Sequence, residues 1–298
     1  MYTGFGTIVT AAITPFDAQG AVDHGELRRL LRHLEATGSD GVVIAGTTGE
    51  SPTLTDDEKL ACITTALDEL GGRVKVLAGT GTNDTRHSIE LTRRAVEAGV
   101  DGLLVVTPYY NKPPRDGLLQ HFTAIARAAG DTPVMLYNVP PRVVLELEPD
   151  LIADLARVPN IVALKQAHPD IRTLQEIRRL APDLAIYAGD DTSLLPFLAE
   201  GVLGVVSVAS HLVGADMKRV VELWTDGNET AARELSASLD DVYETLGITT
   251  NPIPVKAAMA LLGFHVGTPR LPLVEATSLQ HERIRAMLER HELVTTHA

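Results

Sequence analysis

The feature that most restricts the fold of this chain is a series of eight short apolar runs rich in Val, Ile and Leu. Most gaps between them show helical periodicity, as in "HGELRRLLRHLEATG" and "TRHSIELTRRAVEAG". The runs are "TIVTAAIT" from Thr7, "GVVIAGT" from Gly41, "VKVLAGTG" from Val74, "DGLLVVTP" from Asp101, "PVMLYNVP" from Pro133, "NIVALKQA" from Asn160, "LAIYAGDD" from Leu184 and "GVLGVVSV" from Gly201. Strands that are apolar on both faces and alternate with amphipathic helices are typical of a parallel sheet covered by helices. Eight such units predict an α/β fold, the (β/α)8 TIM barrel.

The last part of the chain shows a different pattern. After Val208 no further strand is indicated, and stretches such as "ETAARELSASLDDVYETLG" and "LQHERIRAMLERHEL" are helical. We therefore expect the barrel over residues 1–210, and the last barrel helix with an appended C-terminal helical region over residues 211–298. Because no Pro/Gly/Ser-rich linker precedes this region, we expect it to pack on the barrel.

Composition excludes several classes of function. The net charge is −13 and no basic run is present, which disfavours nucleic acid as a partner. No apolar stretch reaches the ~18 residues needed to span a bilayer, and the first residues do not resemble a signal peptide. The single cysteine, Cys62, excludes an intrachain disulfide and is interpreted as a small core residue. These features predict a soluble, cytoplasmic protein without a membrane partner.

A lysine closes the sixth run. Lys165 follows four apolar residues in "NIVALKQA", and Lys75, near the start of its run, is the only other basic residue within the eight runs. Active sites of such barrels lie at the carboxyl ends of the strands, so Lys165 is expected at the site and Lys75 at the opposite, stabilising end. Lys165 is either a structural lysine paired with a carboxylate or a Schiff-base nucleophile. An apolar surround lowers a lysine pKa and frees the amine to attack a carbonyl.

Other polar residues close neighbouring runs. Tyr137 ends the preceding strand in "YNVPPR" and is either a proton relay for Lys165 or an ordinary rim tyrosine. Arg142, after Pro140-Pro141, suits a substrate carboxylate but equally suits a surface ion pair. The turn "GTTGES" has amides and hydroxyls that could hold an anion, although such turns also occur for backbone reasons.

Phosphate and metal chemistry fit the sequence poorly. No Gly-x-Gly-x-x-Gly or Walker pattern is present, and "AGTGTND" lacks the lysine of a phosphate loop. The ten histidines are scattered, so no metal site is predicted. We interpret Asp190-Asp191 as a helix N-cap.

Six motifs in this order resemble a known family. "GTTGES", "TPYYNKP", "YNVPPR", "ALKQA", "AGDD" and "NPIPVK" are similar to those of the dihydrodipicolinate synthase family, within the pyruvate-dependent class I lyases. The resemblance covers nearly the whole chain. It implies a (β/α)8 barrel, usually assembled as a tetramer of two tight dimers, that acts in lysine and diaminopimelate synthesis.

The resemblance also implies roles for individual residues. Lys165 would form a Schiff base with pyruvate, and Tyr137, Thr48 and Tyr110 would relay protons, with Tyr110 supplied by a neighbouring subunit. Thr47 and Thr48 would hold the pyruvate carboxylate, and Arg142 the carboxylate of aspartate semialdehyde. The backbone at Gly189 and Val206 would line the pocket. No metal or organic cofactor would be needed.

The sequence departs from the family beside the site. An acidic residue, then a small residue and glycine, commonly follow the Schiff-base lysine, whereas this chain has Gln166-Ala167-His168-Pro169. Val143-Val144 replace a common Thr-Gly after the arginine. Two other functions therefore stay open: a sister aldolase, such as N-acetylneuraminate lyase or a keto-deoxy-sugar aldolase, and a non-catalytic barrel that binds a keto acid. The arginine of "YNVPPR" favours the synthase, and the intact proton relay argues against a sensor.

The resemblance bears on feedback by lysine as well. Lysine-sensitive relatives use two histidines and a glutamate at a dimer interface, and the matching positions here hold Asp56, Lys59 and His87. Because the ammonium of lysine needs an anionic partner, we expect weak or absent feedback inhibition.

Overall fold

The eight apolar runs form one closed parallel barrel. The structure is a computed structural model and describes residues 2–294. Each strand pairs with its neighbours in chain order, and the eighth pairs with the first. The strands are β1 (Ile8–Ala11), β2 (Gly41–Ile44), β3 (Lys75–Gly79), β4 (Gly102–Val106), β5 (Val134–Asn138), β6 (Ile161–Gln166), β7 (Ala185–Ala188) and β8 (Gly204–Ser207). The predicted (β/α)8 barrel is confirmed.

Side chains that point alternately inward and outward along the strands form two apolar layers. Side chains such as Val9, Leu77, Met135 and Tyr187 fill the barrel interior. The intervening residues pack outward against the helices, in a second and larger apolar layer. Because both faces of each strand are buried, the runs contain few polar residues until the carboxyl ends of the strands.

Helices cover the outside of the barrel. Within the described residues they are α1 (His24–Ala36), α2 (Asp56–Leu70), α3 (Thr85–Ala98), α4 (Arg115–Ala128), α5 (Pro140–Val143), α6 (Pro149–Leu155), α7 (Ile171–Leu180), α8 (Leu194–Ala199), α9 (Ser210–Thr225), α10 (Glu229–Ser238), α11 (Asp240–Leu246), α12 (Ile253–Leu261) and α13 (Ser278–Arg290). Asp23, Asp84 and Asp170 accept hydrogen bonds from backbone amides at the starts of α1, α3 and α7. Gly99 ends α3 in the left-handed conformation expected of a helix stop.

The C-terminal part of the described chain is helical, as expected. The proposed boundary between residues 210 and 211 falls inside α9, one residue after this helix begins. Helices α10 to α13 follow, and they include the apolar α12, which is buried along most of its length. Residues 295–298, which we also assigned to the C-terminal region, lie outside the described residues, as does Met1. The division into barrel and extension stays a prediction.

Two expectations about single residues can be refined. Lys75 begins β3 and forms an ion pair of 2.7 Å with Asp101, so its predicted position at the amino end of the barrel is confirmed. Asp190 caps the short turn that follows β7, as predicted. Asp191 instead accepts hydrogen bonds from the amides of Val208 and Ala209, just before α9. Asp190 and Asp191 therefore bond to two different helical segments, because the turn after β7 packs beside the end of β8.

None of the helices found between residues 2 and 294 combines the length and the apolar character needed to cross a membrane.

Candidate active site

Lys165 lies inside the barrel at the carboxyl end of β6. It is two residues after the inward-facing Ala163, and it is only 5% exposed. Its register partner on β5 is Tyr137, and its amine lies 4.3 Å from the centre of the Tyr137 ring. The predicted approach of the lysine and the tyrosine is therefore confirmed, and it follows from the pairing of adjacent parallel strands.

Lys165 differs from the other buried lysines because it forms no ion pair within residues 2–294. Lys59 has Asp56 as its partner at 3.4 Å, and Lys256 has Glu50 at 2.8 Å. Within residues 2–294, no carboxylate lies within 4.0 Å of the Lys165 amine. A buried amine without a counter-ion is costly as a cation. This observation contradicts the interpretation of Lys165 as a lysine held by a carboxylate.

A cavity of about 400 Å³ opens beside this pair, at the carboxyl ends of the strands. Thr47, Tyr137 and Arg142 contribute to its wall. Lys165 is not part of the wall, but its amine contacts the ring of Tyr137, which is. Apolar residues, among them Leu104, Val106 and Val139, form much of the rest. The cavity therefore has the mixed character of a small-molecule site, with few fixed polar groups.

The turn after β2 brings Thr47 and Thr48 to the site. The amides of Glu50 and Ser51 bond back to the carbonyls of Thr47 and Gly46, which closes the turn. These two amides are therefore unavailable to a ligand, and anion binding by the turn would fall to Thr47 and Thr48. Thr47 reaches the cavity, whereas Thr48 is 2% exposed and bonds to the C-terminal region.

Arg142 lies at the rim of the cavity in α5. The two prolines that precede it begin this short helix, and the guanidinium is exposed. Its contact is the backbone carbonyl of Asn251, at 3.5 Å, so no ion pair holds it within residues 2–294. The interpretation of Arg142 as part of a surface ion pair is therefore wrong. A free guanidinium at the rim suits a carboxylate ligand.

Val144, two residues after Arg142, replaces the glycine common in the family and adopts an unfavourable backbone conformation. Val144 is 70% exposed and has a φ of 56°. A β-branched residue is rarely found in this left-handed conformation, which glycine adopts freely. The chain therefore keeps, with valine at this position, the left-handed turn conformation that the glycine common in the family adopts without strain.

The remaining predicted residues lie at different places. Val206 is buried in the barrel interior, and the Gly189 amide donates to the carbonyl of Gln166, next to Lys165. A Cβ on Gly189 would approach the Ala167 Cβ to 2.6 Å, so a side chain does not fit there. Tyr110 is 90% exposed and has a φ of 72°, so its side chain does not enter the cavity of its own chain.

The residue after Lys165 is part of a buried amide pair. Asn138 Nδ2 donates to Gln166 Oε1 at 2.9 Å, and Asn138 Oδ1 accepts from the Leu147 amide. Both side chains are fully buried on the outer face of the barrel. The pair links β5 to β6 one residue beyond Tyr137 and Lys165. Glutamine in place of the acidic residue common in the family thus accepts from Asn138 without burying a charge, and its own Nε2 is buried without a hydrogen-bond partner among residues 2–294.

The other departure beside the lysine is His168. Its Nδ1 lies 2.8 Å from Glu146 Oε1, although the two groups are not aligned for a hydrogen bond. Both side chains are partly exposed. This contact joins the loop after β6 to the loop after α5.

The far end of the cavity holds a charged cluster. Asp56, Lys59 and His87 all line it, together with Ser51, Asn83 and Tyr109. Asp56 lies 2.7 Å from His87 Nε2 and 3.4 Å from Lys59 Nζ. Burial opposes the charged form of Asp56, but bonds and charge from His87 and Lys59 prevail and lower its pKa. The only carboxylate of this cluster is therefore already satisfied by two neighbours.

Three polar residues near the site were not predicted from the sequence. Asn251 bonds to Thr48, and the fully buried Lys256 and Glu50 form an ion pair directly behind the same turn. Burial lowers the pKa of Lys256, although the Glu50 carboxylate favours its charged form. These residues belong to the motifs "NPIPVK" and "GTTGES", which are recognisable in the sequence. Local patterns, however, do not indicate which distant residues contact each other.

Comparison with known proteins places the chain among related enzymes. The model of the Dihydrodipicolinate synthetase family matches residues 4–291. A 4-hydroxy-tetrahydrodipicolinate synthase from Desulforudis audaxviator is 49% identical over 99% of this chain and 100% of its own length. A dihydrodipicolinate synthase structure from Bacillus anthracis is 42% identical, with a TM-score of 0.93, over 96% of this chain and 98% of that one. A structure from Cyanidioschyzon merolae, solved with lysine bound, is 43% identical, with a TM-score of 0.95, over 97% of this chain and 99% of that one.

Proposed function

Because the chain belongs to the dihydrodipicolinate synthetase family, we propose that it condenses pyruvate with L-aspartate 4-semialdehyde to 4-hydroxy-tetrahydrodipicolinate. The observation that carries this proposal is the geometry of Lys165. Among residues 2–294 it is a buried lysine without a carboxylate partner, stacked on Tyr137 beside a cavity whose rim arginine, Arg142, has no ion-pair partner in the same residues.

The proposed reaction begins with the neutral amine of Lys165. The amine attacks C2 of pyruvate, and loss of water gives an imine. We propose that the Tyr137 phenol, whose ring centre lies 4.3 Å from the amine, moves protons to and from the intermediate, together with Thr48. Loss of a proton from C3 then gives an enamine. Apolar side chains of the barrel interior surround Lys165.

The second half of the reaction uses the second substrate. The enamine C3 attacks the aldehyde carbon and forms a carbon–carbon bond. The amine of the semialdehyde then attacks C2, closes the ring and displaces Lys165. Overall, the two substrates give one product and one water. Arg142 would hold the semialdehyde carboxylate at the rim, and Thr47 and Thr48 the pyruvate carboxylate, beside the backbone of Gly189 and Val206.

We also propose that the working form is a homotetramer, a dimer of dimers. The support is Tyr110, which is 90% exposed in the isolated chain although the proposed proton relay includes it. Its loop is anchored through Asn111, whose side chain donates to the Asn83 carbonyl at 2.7 Å. An anchored, exposed tyrosine is suited to reach the cavity of a neighbouring subunit. A cytoplasmic location accords with the single, buried cysteine.

A steady-state assay with a small panel of substrates tests the proposed activity. We expect turnover with pyruvate and aspartate semialdehyde, which is measured by coupling the reaction to the reductase that consumes the product. We expect no cleavage of N-acetylneuraminate or keto-deoxy sugars into pyruvate. The opposite pattern would identify a sister aldolase, and pyruvate binding without turnover of any aldehyde would identify a keto-acid sensor.

A further inference from the structure

Asn251 connects the C-terminal helical region to two groups of the proposed site. It lies in the turn before α12, and its Nδ2 donates to Thr48 Oγ1 at 2.9 Å across 203 residues of sequence. Its backbone carbonyl faces the Arg142 guanidinium at 3.5 Å. One residue therefore contacts both a proposed relay hydroxyl and the proposed carboxylate-binding arginine.

The direction of the hydrogen bond determines what Thr48 can do. A hydroxyl has one proton to donate and two lone pairs that accept. Because Asn251 is the donor, one lone pair of Thr48 is occupied and its proton stays free for another acceptor. Thr48 is only 2% exposed, so bulk water does not set the orientation of this hydroxyl.

The opposite orientation of the Asn251 amide is less favourable. Its Oδ1 is buried and accepts no hydrogen bond from residues 2–294. Turning the amide over would instead leave Nδ2, which carries two hydrogens, without Thr48 as an acceptor. An unpaired carbonyl oxygen is tolerated more often in buried sites than unpaired N–H groups. The structure therefore favours Asn251 as the donor.

The helix that follows Asn251, α12, is fixed against the same turn. Lys256 in α12 bonds to Glu50 at 2.8 Å and to the Thr14 carbonyl at 3.1 Å, and both charged side chains are buried. Glu50 is two residues after Thr48, and its other oxygen accepts from the Arg270 amide. The turn after β2 and the start of α12 are thus joined by two contacts, Lys256 with Glu50 and Asn251 with Thr48.

We propose that Asn251 is a positioning residue for proton transfer. By donating to Thr48 Oγ1, it occupies one lone pair of this hydroxyl and leaves the Thr48 proton free for the other members of the proposed relay. Asn251 acts through Thr48, and this inference rests on the proposed function. It predicts a specific dependence: removing the Asn251 amide matters only while Thr48 has a hydroxyl.

A double-mutant cycle tests this dependence. Asn251→Ala should lower kcat by about 10- to 100-fold, in the range of a lost general acid–base contribution. In a Thr48→Val background, the same substitution should change kcat less than about twofold, because coupled residues are not additive. Asn228→Ala is the matched control, since Asn228 is exposed and its side chain caps no helix. It should keep wild-type kcat.

A second variant, Asn251→Asp, separates positioning from a purely structural role. The carboxylate that it introduces can only accept when ionised, so it would draw the Thr48 proton away, whereas the protonated acid can donate. The kcat of this variant relative to wild type should therefore rise as the pH falls, and that of Asn251→Ala should stay constant. Melting temperatures show whether either variant is folded.

Three outcomes would overturn the inference. They are wild-type kcat in folded Asn251→Ala, an equal loss in the Thr48→Val background, and a relative kcat of Asn251→Asp that does not depend on pH. Each leaves the proposed function intact if the wild-type enzyme turns over pyruvate and aspartate semialdehyde. An inactive wild-type enzyme would contradict the proposed function and this inference together.

Discussion

At the scale of single residues, Arg142 is the residue proposed to recognise the second substrate. It is the guanidinium at the rim of the cavity, and within residues 2–294 its recorded contact is a backbone carbonyl rather than a carboxylate. Side chains deeper in the barrel, Lys165 and Tyr137, would contact pyruvate instead. The two substrates should therefore depend on different residues.

Arg142→Ala should raise the KM for aspartate semialdehyde and lower the corresponding kcat/KM by about 10- to 100-fold. This corresponds to a loss of about 1.4–3 kcal/mol, typical of a hydrogen bond to a charged group. The KM for pyruvate should change little. Steady-state kinetics with each substrate varied in turn measures both values. Arg283→Ala, at an exposed position of α13, is the control. An equal rise in both KM values would contradict the assignment.

At the scale of elements, α12 and the turn after β2 stabilise each other through a buried ion pair. Lys256 and Glu50 are 2% and 0% exposed, and Phe16 packs against the Lys256 amine at 4.2 Å from its ring centre. Breaking such a pair leaves an uncompensated buried charge, which costs more than the pair itself contributes.

Glu50→Gln and Lys256→Met should each lower the free energy of unfolding by about 3–5 kcal/mol. The double variant should recover part of that loss, because it buries no charge. Urea denaturation of the four proteins gives these values. Glu222→Gln, which breaks an exposed pair with Arg219, should change stability by less than about 1 kcal/mol. Losses that add up in the double variant would show that the two residues stabilise the fold independently.

The sequence predicted elements better than it predicted contacts between them. The eight strands were recognisable because both of their faces are buried, and Lys165 stood out because it closes such a strand. Asn251 and Lys256 meet their partners across 203 and 206 residues, a distance over which no local periodicity extends. The pairing of Asn138 with Gln166 likewise depends on the register of β5 and β6. These are tertiary contacts, and they could be identified only once the fold was known.

At the scale of the whole molecule, assembly should complete the site. Tyr110 lies on the surface of the single chain, in a loop anchored by Asn111. The family resemblance gives it a role in proton transfer, and its exposure within one chain is compatible with contact to a neighbouring subunit.

Tyr110→Phe should therefore lose most of the turnover and keep the wild-type assembly. The ring remains available for packing, and only the phenol that would donate a proton is removed. Light scattering after size-exclusion chromatography measures the assembly, and the coupled assay measures kcat. Lys112→Gln, at an exposed position of the same loop outside the cavity wall, is the control for a general disturbance of the loop. Turnover close to wild type in Tyr110→Phe would contradict the shared relay.

The charged cluster at the far end of the cavity predicts the response to lysine. Asp56 already bonds to His87 and Lys59, so it offers little to an incoming ammonium, and Lys59 repels a cationic ligand. We expect half-inhibition by L-lysine only above about 1 mM, a binding free energy weaker than roughly −4 kcal/mol. A titration of the synthase reaction with L-lysine measures it. Half-inhibition well below that concentration would show that the cluster does accept lysine.

The central claim is that Lys165 is the Schiff-base nucleophile, and chemical trapping tests it most directly. The enzyme is incubated with pyruvate, reduced with borohydride, digested and analysed by mass spectrometry. We predict one modified residue, Lys165, whose mass increases by that of pyruvic acid less one oxygen atom. Omitting pyruvate should abolish the adduct. An adduct on Lys59, Lys75 or Lys256, or no adduct at all, would contradict the account.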